Sequence, residues 1–450
     1  MSGSRLLIRK AVLGVAILVG FTALAGLAGH GIASGFVPDE DQGYFFVNVQ
    51  LPDAASLERT DAVCRKVEAI LGATPEIESF NTVAGFSLLT YASATYNGFY
   101  FVTLKEWSKR PGSEHTAAAV VNRLNWELAG KINEGIVFGF APPAIAGLGN
   151  SGGFSMWVQD RSGGDVEFLN TNLQKFMEAA RKQPEVGSIN TLFRASVPQV
   201  FAEVDRDKIL KQGVNIADVY QTLQAFLGGS YINQFNRFGR QWKVYLEAES
   251  DQRANEDKIG NYYVRNSNGD MVPLSALAST KRVYGPEYTN RFNLFRAAQV
   301  IGSPAPGYSS DQVMNALERV AGDVLPREMG FEWADLSYQQ RKAAGTGAAT
   351  FALSLLCVFL ILAALYESWS LPFSVLLSVP IAVIGAFAGL LMRGFSFDIY
   401  GQIGLVMLVG LAAKNAILIV EFAKDEFEKG RPLVEAALEG AKLQTSAKSR

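Results

Sequence analysis

GQIGLVMLVGLAAKNAILIVEFAK, Gly401–Lys424, is apolar over a length that can cross a bilayer, yet it carries Lys414 well inside. A spanning helix needs roughly 20 apolar residues. A cation near its centre costs about 2.5–3.5 kcal/mol even on a lenient insertion scale. From Lys414 to the end of the apolar run at Ala423 is on the order of 13 Å, at about 1.5 Å rise per residue. That depth is beyond easy snorkelling, so the ammonium calls for a carboxylate, carbonyls or a water-lined cavity within a helix bundle. Satisfaction by backbone carbonyls would make Lys414 a structural residue. The default for a charge inside a membrane is instead a place on an ion or proton route.

Three further apolar runs read as spans: 11–32, 345–366 and 370–392. The last two are separated by little more than Glu367 and should form a tight helical hairpin. Arg5, Arg9 and Lys10 precede the first run, and Lys424, Lys429, Arg431, Lys442, Lys448 and Arg450 follow the fourth. Four crossings put both ends on one side, and the basic excess makes that side cytoplasmic. Residues 1–10 are then a cytoplasmic N-terminus, 400–424 the fourth span and 425–450 a cytoplasmic tail. A net charge of −2 with 19% charged residues argues against a nucleic-acid binder. Cys64, Cys357, His30 and His115 are too dispersed for a zinc site. No phosphate-cradling GxxxxGK[ST] loop occurs, no nucleophile–base set stands out, and no cofactor is expected.

The intervening 310 or so residues, by the usual size of domains, hold two or three of them. Tyr44–Leu51 reads as a strand. A helix follows, capped by Asp53 or Ser56, with Leu57, Val63, Val67, Ile70 and Leu71 on one face. Strands at 77–83 and 99–104, a helix at 116–132 and a strand at 137–140 complete a β-α-β-β-α-β order, that of a ferredoxin-like split βαβ unit. A second such unit starts with the strand at 154–158, the helix at 166–182 and a strand near 188–192. It resumes with a strand at 297–301, a helix at 309–324 and a strand at 331–333. The insertion between its halves has a strand at 200–204, a helix at 207–227 broken at Gly213, and a hairpin with arms 230–235 and 241–247. Its tip is Asn236, Arg237, Phe238 and Gly239. The fold class is therefore an α+β membrane protein with four transmembrane helices and two split βαβ subdomains, the second interrupted.

Several long motifs carry a resemblance: Phe36-Val-Pro-Asp-Glu-Asp-Gln-Gly43, Leu104-Lys-Glu-Trp-Ser-Lys-Arg-Pro111, Met271-Val-Pro-Leu274, Ala364-Leu-Tyr-Glu-Ser-Trp-Ser370 and Ala413-Lys-Asn-Ala-Ile-Leu-Ile-Val-Glu-Phe-Ala-Lys-Asp425. In these the chain resembles the C-terminal half of the resistance–nodulation–division (RND) transporters, in the hydrophobe/amphiphile efflux branch of multidrug pumps. The resemblance implies a bacterial inner-membrane subunit with a large periplasmic region. Residues 36–146 would be the first porter subdomain, 147–195 with 296–340 the second, and 196–295 a docking subdomain whose hairpin tip, Asn236–Gly239, faces an outer-membrane channel. It implies a homotrimer working with a periplasmic adaptor and that channel, exporting amphiphilic small molecules against protons. Lys414 matches the relay lysine that pairs with two aspartates of the family's fourth helix. Phe46, Val83, Phe86, Phe99 and Phe101 fall on substrate-pocket positions, although ordinary sheet packing would also use such residues.

The sequence departs from the family at Gly85–Gly98, GFSLLTYASATYNG, where the family often has a mobile, glycine-rich switch loop and where Leu88 replaces an aromatic. Two histidines and eight methionines argue against the metal-exporting sister branch. The relay aspartates belong to the family's N-terminal half, and after Leu438 the tail leaves the family's pattern. The expectation is a half-transporter, inactive when expressed alone without that missing half. The alternatives are a non-functional remnant and a membrane-anchored periplasmic binding or assembly scaffold.

Overall fold

A computed structural model describes residues 11–38, 40–344 and 346–447. The segment 1–10, Asp39, Gly345, Lys448 and Arg450, all of which entered the reading above, lie outside the described residues. The chain divides into two units, Arg194–Thr289 and the remainder.

In the larger unit, helix α1 (Ala11–Gly31) leads to the first sheet module. That module comprises β1 (Tyr44–Gln50), α2 (Leu57–Ala73), β2 (Ile77–Ser87), β3 (Ala92–Leu104), α3 (Ala117–Lys131) and β4 (Ile136–Phe140). The strands lie in the order β2-β3-β1-β4, all antiparallel. Of the two candidate caps for α2, Ser56 is the one used, its Oγ accepting from Arg59 N at 3.3 Å. This satisfies one of the helix's orphan donors. Thr116 serves α3 in the same way. Phe45, Val47, Val49, Tyr100 and Val102 point from the sheet to the helices, meeting Val63, Val67, Leu71, Val120, Leu124 and Leu128 in one core. The period-2 alternation of the strands sends their other residues to the opposite face.

β2 and β3 run further than their apolar cores suggest. Gly85–Gly98, where a mobile loop was the family's habit, is mostly paired strand closed by a short turn. Thr and Tyr suit a ladder, and Leu89 and Tyr96 are buried.

The second module repeats the pattern with β5 (Phe154–Asp160), α4 (Val166–Arg181) and β6 (Val186–Thr191) in its first half. The smaller unit then intervenes with β7 (Val197–Val204), α5 (Arg206–Lys211), α6 (Ile216–Leu223), β8 (Ser230–Arg237), β9 (Arg240–Leu246), β10 (Tyr263–Arg265), β11 (Met271–Pro273) and β12 (Ala278–Gly285). After a short β13 (Asn290–Phe292), the module closes with β14 (Phe295–Pro304), α7 (Ser310–Val324) and β15 (Met329–Trp333). β14 pairs with both β5 and β6, and β15 pairs with the far edge of β5. Its core joins Phe154, Met156 and Val158 to Leu169, Leu173 and Phe176 of α4 and Met314 and Leu317 of α7.

Within the smaller unit the broken helix parts at Gly213, whose φ of +65° suits glycine. The hairpin tip needs correction. Asn236 and Arg237 belong to the arm, paired with Gln241 and Arg240, so the turn proper is Phe238–Gly239. Both turn residues have positive φ, 55° and 71°. Two-residue hairpin loops of that kind match the strand twist, which is why the arms run closer to the tip than polarity suggested.

A short helix α8 (Asp335–Ala343) leads from β15 to α9 (Thr346–Tyr366). The chain reverses at Glu367, where φ is +48°, and Phe359 of α9 meets Trp369 and Phe373 beyond the turn at 6.0 and 4.9 Å. The third predicted span is two helices, α10 (Ser370–Leu376) and α11 (Val379–Arg393), rather than one. Pro380 has no N–H to offer and its ring crowds the carbonyl four residues earlier, at Leu376. The ladder therefore tightens at Ser378, whose N–H and Oγ both donate to Val375 O.

Helix α12 (Ile399–Glu428) extends beyond its apolar stretch, with Asp398 as its cap. Among the described residues, three helical runs are long and apolar enough to cross a membrane: Val12–Gly31, Pro372–Arg393 and Ile399–Glu428; Ala352–Leu365 within α9 is a shorter apolar run. The tail that carried no predicted element forms α13 (Leu433–Ala447). Its composition is rich in Ala, Leu and Glu, good helix formers. A Cβ added at Gly440 would meet Ala423 N at 2.8 Å, so the absent side chain lets the two helices touch.

Candidate functional site

Helix α12 packs on α9 and α10 through Ala413, Ala416, Ile417 and Val420, which meet Val358, Leu362 and Val375. Lys414 follows Ala413 by 100° of helical rotation and falls outside that seam. Its side chain is exposed, on a flank shared with Ile403, Met407 and Leu411. Among the described residues none forms an ion pair with Lys414. The described helices therefore do not enclose Lys414.

The first sheet's outer face is built by alternation. Phe46 pairs in register with Phe101 on one side and Phe140 on the other, and Asn48 with Phe99 and Phe138. The Phe46 ring lies 5.4 Å from Phe99, 5.5 Å from Phe101 and 5.6 Å from Phe140. Phe99 and Phe101 are 5.1 Å apart, edge to face. Edge-to-face and tilted contacts are favoured by ring quadrupoles. Asn48, Gln50 and Asn97 continue the same face as a strip of buried amides, and Ser87 Oγ donates to Asn48 Oδ1 at 3.2 Å.

Of the five residues read as a pocket, three share this ring cluster. Val83 stands opposite Phe99 in the ladder and is exposed. Phe86 lies past a register shift at Ala84–Phe86 and, among the described residues, makes no ring contact with the cluster. Sequence reading missed Phe138 and Phe140, whose centroids lie 5.8 Å apart; their i, i+2 spacing in IVFGF was the available signal.

The cluster's members differ in exposure, which separates packing from accessibility. Phe99 is 0% exposed and Phe101 40%. Phe99→Ala is expected to destabilise by about 3–5 kcal/mol, whereas Phe101→Ala should cost under about 1.5 kcal/mol. Denaturant unfolding of the whole chain checks both; equal costs would contradict the geometry.

Two motifs that lie far apart in sequence meet beside this sheet. Arg110 donates to both carboxylate oxygens of Asp41, at 2.5 and 2.6 Å, and to the carbonyls of Lys105 and His115. Asp41 also accepts from Gly43 N and from Ala117 N, in the first turn of α3. Trp107 Nε1 donates to Asp41 O. Alongside, buried Glu76 takes His115 Nδ1 and Arg123 Nη2, each at 2.7 Å. The cluster fixes the strand entry that follows α1. Burial pushes the Asp41 carboxyl up, but the hydrogen bonds from Arg110, Ala117 and Gly43 outweigh it and pull the group from 3.8 to about 2. Burial likewise opposes the bonds to Glu76, whose carboxyl ends below its usual range.

A depressed folded-state value means the stabilisation is full above the unfolded pKa and disappears as pH falls through the folded one. The first module is thus expected to lose about 1–2 kcal/mol between about pH 4 and pH 2 from Asp41, allowing for solvent screening. Unfolding midpoints across that window should flatten in Asp41→Asn; an unchanged slope would contradict the assignment.

In the smaller unit, both faces of the β8–β9 hairpin are exposed along its length, with Tyr231, Phe235, Phe238, Trp242 and Tyr245 among the residues open to solvent. Arg237 lies over the Phe238 ring at 4.9 Å.

Comparison with known proteins gives this geometry a setting. The profile of the AcrB/AcrD/AcrF family matches residues 3–445. The multidrug/solvent efflux pump membrane transporter MepB of Pseudomonas putida is 39% identical over 415 residues, covering 92% of this chain and 39% of the relative. The solvent-resistant pump membrane transporter SrpB of the same species is 38% identical over 435 residues, covering 95% and 41%. The multidrug export protein AcrF of Escherichia coli K12 is 39% identical over 417 residues, covering 92% and 40%. The chain thus spans about two fifths of the length of these relatives.

Proposed function

This chain belongs to the AcrB/AcrD/AcrF family of RND multidrug efflux transporters, and from that premise we propose that it forms part of a proton-driven exporter of amphiphilic and hydrophobic compounds in a bacterial inner membrane. The observation that carries the reading is the outer face of the first sheet. Phe101 is exposed and Phe138 and Phe140 are half-buried, a set of apolar rings with few directional demands that rests on buried Phe46 and Phe99 and on the buried amides of Asn48, Gln50 and Asn97. A surface of that composition suits ligands that carry a ring system and a polar end. Val83 and Phe86 border it as further candidate contacts.

On this reading the spans cross the membrane four times, α10 and α11 counting as one, and the two ferredoxin-like modules are porter subdomains in the periplasm. The smaller unit is the docking subdomain. Its exposed aromatic hairpin, with Asn236, Arg237, Phe238 and Gly239 at and beside the turn, contacts the outer-membrane channel in an assembly with a periplasmic adaptor and two further copies. Exposed aromatic surface of this extent is typical of a protein interface. Lys414 is the relay residue. Its ammonium, unpaired among the described residues, takes a carboxylate from a further transmembrane segment, and protonation of that carboxylate releases it.

A chimera tests the proposal: residues 3–445 replace the matching segment of the Escherichia coli multidrug export protein, and dye export is followed in energised cells. Export that collapses on dissipating the proton gradient supports the reading. A chimera that reaches the membrane, assembles and exports nothing overturns it.

A further inference from the structure

The segment leaving α1 and the segment entering α12 are bound to one another. Ser34 and Phe397 form a parallel bridge. Phe397 N donates to Ala33 O at 2.9 Å, Gly35 N to Phe397 O at 3.3 Å and Ile399 N to Phe36 O at 3.0 Å. From the middle of this bridge Ser34 Oγ donates to Asp311 Oδ2 at 3.2 Å. Asp311 stands in the first turn of α7, a helix held by a capping box between Ser309 and Gln312. Its other oxygen accepts from Arg341 Nη1 at 3.0 Å. Arg341 belongs to α8 and spreads its guanidinium over one face of α7, with Nη2 donating to Asn315 at 2.7 Å and Nε 2.9 Å from Glu318. The indole of Trp333 donates to the same Glu318 oxygen at 2.8 Å. Residues at i, i+4 and i+7 of a helix share one stripe, so a single planar guanidinium hydrogen-bonds Asp311 and Asn315 and forms an ion pair with Glu318.

One carboxylate therefore touches three parts of the chain: the α1–α12 bridge, the start of α7 and the helix that runs on into α9. We propose that Asp311 is a positioning residue that couples α12, the helix carrying Lys414, to the second sheet module. The inference rests on the reading of Lys414 given under the proposed function. The backbone bridge makes Ser34 move with the entry of α12. The Ser34 hydroxyl passes that displacement to Asp311, and the Arg341 fork spreads it over α7 and α8 as one body. Spatial linkage alone does not establish coupling; a response at one end that vanishes when the joint is removed does.

The experiment is hydrogen exchange on the full chain in lipid nanodiscs, without substrate or proton gradient. Lys414→Ala removes the ammonium that limits how deeply α12 settles in the bilayer. It is expected to change exchange of amides in 310–324 and 335–343 by about threefold in the otherwise native chain. In Asp311→Ala and in Ser34→Ala the same substitution should change them less than about 1.5-fold. Ser34→Ala removes one hydroxyl, leaves the Asp311–Arg341 pair in place and should melt where the native chain does, so it decides the matter even if Asp311→Ala folds poorly. Two results overturn the proposal: a native chain whose α7 ignores Lys414→Ala, or a response of equal size in the native and Ser34→Ala chains. The measurement needs no export, so its failure is distinct from failure of the chimera to transport.

Discussion

Arg110→Ala is expected to destabilise the first sheet module by about 3–5 kcal/mol, the usual cost of removing one partner from a buried ion pair. Arg110 is almost wholly enclosed, its side chain 2% exposed, against 20% for Asp41. Its removal strands more than the aspartate. The carbonyls of Lys105 and His115 lose their donor, and a buried acceptor without a partner costs about 1–3 kcal/mol. Arg110→Lys should recover less than half of the loss, because an ammonium cannot reproduce two parallel bonds to one carboxylate. Denaturant unfolding of the full chain, followed by circular dichroism, measures both variants. A loss below about 1 kcal/mol for the alanine variant would show that solvent replaces the clamp.

In the chimera described above, Lys414→Ala is expected to abolish export, with dye accumulation rising to that of cells lacking the pump. The carboxylate that loses its partner in the chimera can neutralise itself by taking up a proton, so the amount of protein in the membrane should be unchanged. Lys414→Arg keeps the charge but is permanently protonated and planar, and should also fail if the lysine must hand its pairing on and off. Export retained by Lys414→Ala would remove this residue from the relay.

Much of the local structure was legible in the sequence because it depends on near neighbours. The apolar runs marked long helices, Thr116 and Ser309 marked helix starts and Ser56 was one of two candidates for a third, since a cap acts on donors two or three residues away. Alternation placed Phe99 and Phe101 on one face and Tyr100 on the other, where the Tyr100 hydroxyl reaches Cys64 O in the core. The break before Pro380 was not read, because the apolar run continues through it. Nor was the Phe238–Gly239 turn: polar composition marks a tip without saying how many residues close it, and a phenylalanine at positive φ runs against preference.

What only the tertiary structure decided are the contacts whose partners are far apart in the chain. Phe140 joins Phe46 because β4 pairs with the opposite edge of β1 from β3, a choice of strand order that alternation within one strand cannot make. Asp41 and Arg110 stand 69 residues apart, and Ser34 and Asp311 are separated by 277; each motif looked separate until the fold closed the loop between them. Lys414 shows the division most sharply. Its position in an apolar run was enough to call for a carboxylate, carbonyls or a water-lined cavity around it. Only the packed helices showed that the seam of α12 runs through Ala413 and Ile417, leaving the lysine on an exposed flank.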